Sequence, residues 1–197
     1  MENNNIKLSI LICSVQTEER QIKLKKLVYE LHRQISKNYA EEIIEIIIDS
    51  DNMIKSVGKK RNDLIEKAEG EYICFIDDDD FISENYLSII LNQLNSGIDI
   101  LLIGIDHIQN GVKQTKILPS LYIDNLNTGE AVFKTNHFHL CPHKKSIAKS
   151  VLFECINFAE DMLYSQNMVK HINNSFLISE PIYIYFDNLE KSLTRNV

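Results

Sequence analysis

Glu71-Tyr72-Ile73-Cys74-Phe75-Ile76-Asp77-Asp78-Asp79-Asp80-Phe81 is the stretch on which the fold turns. Residues 72–76 form an apolar run of strand length, and four consecutive aspartates stop it. A run without polar alternation belongs to a strand covered on both faces, the condition of a parallel strand in a wound α/β sheet. In such sheets ligands bind beyond the carboxyl ends of the strands. Adjacent carboxylates repel one another, and a divalent cation is the natural way to offset that repulsion in a folded site. Extended backbone turns Asp77 and Asp79 to the same side, so the two could share one ligand complex. The competing reading is a solvated acidic turn in which Asp80 helps to cap the next helix.

On the amino side, residues 7–14 make a second apolar run, predicted as a central strand. Thr17 then reads as a helix N-cap, followed by Glu18 and Glu19 and by Leu24, Leu27, Val28, Leu31 and Ile35 at helical spacing. Residues 43–48 give another strand, ending at Asp49-Ser50-Asp51-Asn52, and strand, helix, strand implies a right-handed parallel crossover. Residues 58–68 read as a short helix closed by Gly70. On the carboxyl side, Ser83 is expected to cap a helix carrying Tyr86, Leu87, Ile90, Leu91 and Leu94, before a buried strand over 98–105. Further on, the pattern predicts a strand at 112–118, a helix at 128–134 and a longer helix at 159–170 that opens with Glu160-Asp161. Two short strands, 176–178 and 182–186, are expected on either side of Pro181.

The chain has 197 residues with 44% hydrophobic content, enough for one domain with a real core. We expect a single domain, residues 1–105 forming one half and 106–197 the other. The start of the sequence shows no basic segment followed by a long apolar one, so a cytoplasmic location is expected. Cys13 and Cys74 lie in apolar strand-like runs, and Cys141 and Cys155 show no metal-ligand spacing, as suits buried free thiols. A net charge of -7 argues against a general nucleic-acid binder. Between residues 108 and 149, however, six Lys stand against Asp124 and Glu130, a local charge of +4.

The acidic block resembles the strand and Asp-x-Asp motif of family 2 glycosyltransferases, whose fold is called GT-A. That resemblance implies an α/β fold with a wound, mostly parallel central sheet and helices on both faces. It also implies a nucleotide-sugar donor, with Asp77 meeting the nucleoside, Asp79 and Asp77 holding Mn2+ or Mg2+ on the diphosphate, and Asp78 and Asp80 in support. Leu8-Ser9-Ile10-Leu11-Ile12-Cys13-Ser14 resembles the family's first strand, whose end touches the nucleotide, which makes Ser14 a donor contact. Glu45-Ile46-Ile47-Ile48-Asp49 resembles its second, whose terminal acid, here Asp49, pairs with the base. Gly58-Lys59-Lys60-Arg61-Asn62 resembles its helix start, a Gly followed shortly by Arg-Asn, from which Lys60 and Arg61 would face nucleobase or phosphate.

Asn157-Phe158-Ala159-Glu160-Asp161-Met162 resembles the family's Glu-Asp pair at a helix start. There Asp161, with Glu160 beside it, would act as base toward the acceptor, because a sugar hydroxyl is a poor nucleophile near neutral pH and a positioned carboxylate removes its proton. Acids are also common at any helix N-terminus, which is the competing reading. Leu140-Cys141-Pro142-His143-Lys144 resembles the acceptor-side segment of compact members, and makes His139 and Lys144 candidates for contact with donor phosphates or acceptor. Phe186 stands near the place where the family often has a His, so a His ligand to the metal is not expected. His137, His139 and His143 flank Cys141, but their spacing fits no common structural zinc site.

The function expected from this resemblance is metal-dependent, inverting transfer of a sugar from a UDP-hexose to an acceptor hydroxyl. A saccharide acceptor is expected to meet a shallow surface around residues 136–149. A hydroxylated base in DNA is the alternative acceptor, and the local +4 charge would suit phosphate contacts. A nucleotidyltransferase would need a Gly-rich loop after the first strand, where this chain has Ser14-Val15-Gln16-Thr17-Glu18-Glu19-Arg20. An aspartyl phosphatase would carry its two aspartates after the first strand, with Thr or Val where Phe81 stands. A non-catalytic nucleotide-sugar binder stays open.

Overall fold

A computed structural model of the chain describes residues 5–94, 96–121, 132–135 and 138–187. Strand β1 (Leu8–Val15) lies between β2 (Ile44–Asp51) and β3 (Tyr72–Phe75), parallel to both. Helix α1 (Glu18–Lys37) joins β1 to β2, and α2 (Val57–Lys67) joins β2 to β3. The chain steps one way across β1 and then back, so right-handed crossovers put α1 and α2 on opposite faces. Both faces of β1 are thereby covered, and Leu8, Ile10, Leu11 and Ile12 are fully buried. Helix α1 buries Leu24, Leu27, Leu31 and Ile35, the stripe that its spacing predicts. Each such side chain contributes roughly 1.5–3 kcal/mol on burial. Thr17 caps this helix by accepting the Arg20 N–H.

Helix α3 (Tyr86–Leu94) packs beside α1, and its start departs from the expectation of a Ser83 cap. The Ser83 hydroxyl turns to Asn85, while Gln34 of α1, fully buried, accepts the Leu87 N–H at 2.9 Å and donates to the Ser83 carbonyl at 2.7 Å. A side chain from a neighbouring helix thus satisfies backbone groups that a local cap would have served.

The second half adds strands of both directions. β5 (Ile100–Gln109) turns through Asn110 and Gly111, at φ 51° and 78°, into antiparallel β6 (Val112–Pro119), as a two-residue hairpin requires. Parallel to β6 runs β7 (Val132–Thr135), where a helix was expected; residues 128–131 of that expectation lie outside the described residues. The two-residue β8 (His143–Lys144) fits between β3 and β5, antiparallel to each, and leads into α4 (Lys145–Ser150). Helix α5 (Glu160–Met168) ends in a 3-10 turn, Val169–His171. The last strand, β9 (Ser175–Asp187), is continuous where two short strands were expected. It runs parallel to β5 and carries Pro181 at a register shift opposite Gly104, whose missing side chain leaves room for the Glu180 carbonyl. Short β4 (Phe81–Ile82) pairs with β9 directly after the acidic turn. The result is one sheet, ordered β2-β1-β3-β8-β5-β6-β7, with β9 on β5 and β4 on β9. No helix among the described residues is long and apolar enough to cross a membrane.

Candidate active site

The carboxyl ends of β1, β2 and β3 meet at the acidic turn. Asp77 to Asp80 closes on itself through the Asp80 N–H and the Asp77 carbonyl at 3.1 Å. This turn divides the four carboxylates by partner. Asp78 is fully buried, accepts the Ser14 hydroxyl at 2.6 Å, and is bound by the Arg20 guanidinium. Asp80 is buried as well, accepting the Tyr183 phenol at 2.7 Å and the Phe186 N–H at 2.9 Å. Burial, with Asp77 and Asp79 nearby, pushes the Asp80 carboxyl well above the usual carboxylate range. Asp77 and Asp79 are left with side chains 33% and 30% exposed. Asp79 is held by Arg20 Nη1 at 2.6 Å and is pushed up to about 6, by burial first, with Asp77 and Asp78 adding and Arg20 opposing.

Helix α2 explains its own Gly-x-x-Arg-Asn start. Ser56 caps it, and Gly58 lies so close to the loop before α5 that a Cβ there would stand 1.8 Å from the Glu154 carbonyl oxygen. In that space the Gly58 N–H reaches the Ile156 carbonyl at 3.1 Å and the Val57 N–H reaches Asn157 Oδ1 at 3.0 Å. Asn62 brackets Phe153, donating to its carbonyl at 2.9 Å and accepting its N–H at 2.8 Å. Arg61 is buried between the rings of Phe75 and Phe153, 5.5 and 5.2 Å from their centroids. Its guanidinium reaches Asp77 at 3.4 Å on one side and Glu160 at 3.0 Å on the other. One arginine therefore links the acidic turn to the first residue of α5.

At that helix start Glu160 is buried and its carboxyl is raised, by burial first, with Asp161 adding and Arg61 opposing. Asp161 is half-buried, and its side chain accepts the Met162 N–H at 2.8 Å. Ala159 before them has a left-handed backbone, φ 63°, and makes no side-chain cap.

The other residues singled out from the sequence divide into two groups. Asp49 stands two residues before the end of β2, opposite Cys13, and binds Lys55 at 2.5 Å. Lys60 is buried and ties the ends of β1 and β2 together, donating to the Ser14 carbonyl at 2.8 Å and pairing with Asp51. Asp49, Lys60, Arg61 and Asp77 all act electrostatically on the half-buried Cys13 thiol, which desolvation pushes up to about 12. These residues lie together around Cys13, near the carboxyl ends of β1 and β2. Lys144 is not among them: it stands opposite Tyr72, at the far end of β3, and its ammonium binds Asp99 at 2.9 Å. Asp77 lies five positions further along the chain than Tyr72, about 16 Å of extended backbone. His139 is buried in the 3-10 turn Phe138–Leu140, packed between β3 and α5. His137 lies outside the described residues. His143 is fully buried in β8, bonded to the Cys141 carbonyl and the Tyr164 hydroxyl. Arg20 and Tyr183 were not singled out from the sequence. A signal existed for the first, since the opening turn of α1 follows the carboxyl end of β1 and so stands at the ligand-binding end of the sheet. Tyr183 is brought there only by the sheet.

Residues 26–155 match the sequence model described as Glycosyl transferase family 2, a span that contains the acidic turn and stops short of Glu160 and Asp161. No curated protein matches the chain in sequence. Among solved structures, the chain is similar to S. aureus TarS 1-349 in complex with UDP-GlcNAc, with a TM-score of 0.69 at 18% identity over 98% of this chain and 61% of that one. It is similar also to S. aureus TarS 1-349 in complex with UDP, with a TM-score of 0.65 at 18% identity over 92% of this chain and 61% of that one. The chain thus spans 61% of the TarS fragment, and 37% of the chain in the structure of S. aureus TarS. Two thirds of the sequence falls within the family match, and the sheet ends where the acidic turn stands: the chain belongs to glycosyl transferase family 2 and has the GT-A fold.

Proposed function

We propose that the protein transfers a hexose from a UDP-sugar to a saccharide hydroxyl with inversion, using Mn2+ or Mg2+ held by Asp79 and Asp77. The observation that carries this reading is the chain Asp77, Arg61, Glu160, which puts a donor-side carboxylate and the start of α5 in one ion-paired unit. The TarS complexes with UDP-GlcNAc and UDP support a UDP-sugar donor.

The carboxylates fit a hard cation. Among the described residues no trio of His, Cys, Asp and Glu could hold a metal alone. Two partly exposed carboxylates are what remains, and magnesium-type ions are commonly held by one or two carboxylates plus substrate phosphates. The Asp79 carboxyl is raised by burial first, with Asp77 and Asp78 adding and Arg20 opposing, and a cation beside it would favour its charged form. When bound, the cation neutralises charge developing on the leaving diphosphate. Asp49 accepts from the nucleobase, Ser14 and Asp78 shape the floor beneath the nucleotide, and Asp161 takes the proton from the acceptor hydroxyl as attack develops. Glu160, engaged by Arg61, holds the start of α5 in place.

A saccharide is preferred over DNA because four of the six lysines in the basic stretch have partners within the chain. Lys113, Lys144 and Lys149 pair with Asp106, Asp99 and Glu66, and Lys145 binds the Ala68 carbonyl. The test is calorimetric titration with UDP and with UDP-sugars, in Mn2+ and then in excess chelator. Tight binding that needs the metal is expected, and equal affinity in both conditions would remove the metal from the scheme.

A further inference from the structure

Arg20 has no place in the scheme above. It leaves the first turn of α1, and its guanidinium spans Asp78 and Asp79. The two carboxylates depend on it unequally. Asp78 also accepts from Ser14, whereas Arg20 is the one hydrogen-bond partner of the Asp79 carboxylate among the described residues. The guanidinium is itself incompletely used: its Nε is buried without a hydrogen-bond partner among the described residues. A buried N–H of a charged group with nothing to donate to carries a desolvation cost that an incoming acceptor would relieve. Arg20 therefore sits on the carboxylate that the cation needs, with a donor left over for an anion.

We propose that Arg20 is an exchangeable counter-ion. It neutralises Asp79 while the site is empty, gives Asp79 up to the divalent cation, and then bonds phosphate oxygens of the donor while keeping its hold on Asp78. The planar fork of arginine suits this exchange, because it can bind two oxygens of a phosphate as readily as two of a carboxylate pair. The inference rests on the metal-dependent reading and adds to it an order of events: cation and guanidinium compete for Asp79, and cooperate once a diphosphate is present.

Competition and cooperation have opposite signs, which a single series of variants separates. Calorimetry with Mn2+ alone, then with UDP at saturating Mn2+, is carried out on the parent, Arg20→Gln and Arg20→Lys, with thermal melting as a check of folding. In Arg20→Gln, Mn2+ alone is expected to bind about tenfold more tightly and UDP about tenfold more weakly, the scale of one charge-assisted hydrogen bond. Arg20→Lys keeps the charge and loses the fork, so its Mn2+ affinity should stay near the parental value while UDP still weakens. Unchanged Mn2+ affinity in Arg20→Gln, with UDP binding still metal-dependent, overturns the counter-ion and leaves the metal reading standing. Unchanged UDP affinity in both variants overturns the phosphate contact. UDP binding that ignores Mn2+ in every protein overturns the metal reading and the counter-ion with it.

Discussion

Tyr183 of the last strand donates its phenolic proton to Asp80, 103 residues earlier, at 2.7 Å. The same oxygen accepts the Asp77 N–H at 3.1 Å, so one hydroxyl spans both ends of the acidic turn. Tyr183 is fully buried and its ionisation is pushed far up, by burial first, with Asp80 and Asp77 adding. It acts here only as a neutral hydrogen-bonding group, and it positions the turn from a strand that β5 and β4 hold in register.

Tyr183→Phe keeps the ring and removes only that oxygen. The buried Asp80 then loses one donor and the Asp77 N–H its acceptor, which should cost about 1–3 kcal/mol. Metal-dependent UDP affinity should fall in the same variant, because Asp77 and Asp79 lose their fixed separation. Denaturant unfolding and UDP calorimetry read the two effects. A variant with parental stability would show that the turn holds its shape without the phenol.

Gly58→Ala tests whether α2 sets the place of the α5 start. The added methyl would stand 1.8 Å from the Glu154 carbonyl oxygen, so the loop of residues 153–157 must move away from the helix. Overpacking of this kind typically costs about 1–3 kcal/mol. The displaced loop leads straight to Glu160 and Asp161, while the nucleotide side of the site is built from β1, β2 and the acidic turn. The melting temperature should fall, and transfer should suffer more than UDP affinity. Equal losses in binding and transfer would mean that the loop does not govern the base.

How far this could be read in advance depended on whether the signal was local. Strand β1 and the stripe of α1 are visible because burial on both faces, or on one helical face, writes itself into consecutive residues. The hairpin after β5 was equally local, since Asn110-Gly111 between two runs is a strong turn signal, although the strand at 112–118 was predicted without it. By contrast, Pro181 invites a break, and nothing nearby tells that Gly104 sits opposite and lets the strand bulge instead. The acidic turn declared itself through repulsion among neighbours. The linking role of Arg61 and the cap that Gln34 supplies to α3 did not, because each joins residues far apart in sequence. Lys144 misled for the same reason: it follows a suggestive segment, but β8 runs antiparallel to β3 and carries it to the wrong end of the sheet.

His143 offers a test of the core by pH. Full burial lowers its imidazole from 6.5 to about 4, opposed only by the Cys141 carbonyl. Folding therefore favours the neutral ring, and this contribution is fully present above pH 6.5. Between 6.5 and 4 the unfolded chain takes up a proton that the native state refuses, so stability falls with falling pH, by about 3 kcal/mol in all. In His143→Gln that component is missing. The stability difference between parent and variant, measured by denaturant titration at pH 7 and at pH 4, should shrink by about that amount. A constant difference would mean that the ring does not titrate anomalously.

The roles assigned to the two acidic sites predict different failures for the same conservative exchange. Asp79→Asn keeps the size of the side chain and removes the charge that attracts a divalent cation, so Mn2+-dependent UDP affinity should fall together with turnover. Arg20 loses its partner in that variant as well, but keeps Asp78, so the turn should remain folded. Asp161→Asn should leave UDP and Mn2+ binding close to parental, since Asp161 is not among the groups on the acidic turn and its proposed work begins only when the acceptor hydroxyl attacks. Its transfer rate should drop by roughly a hundredfold or more, the scale of a positioned general base. The preserved contact from its side chain to the Met162 N–H lets asparagine occupy the same place, which separates loss of basicity from loss of structure. Calorimetry with UDP and Mn2+ on both variants, beside a transfer assay with a saccharide acceptor, distinguishes the two patterns. Parental transfer by Asp161→Asn would move the base to another carboxylate, and Glu160, already engaged by Arg61, would be the next to exchange.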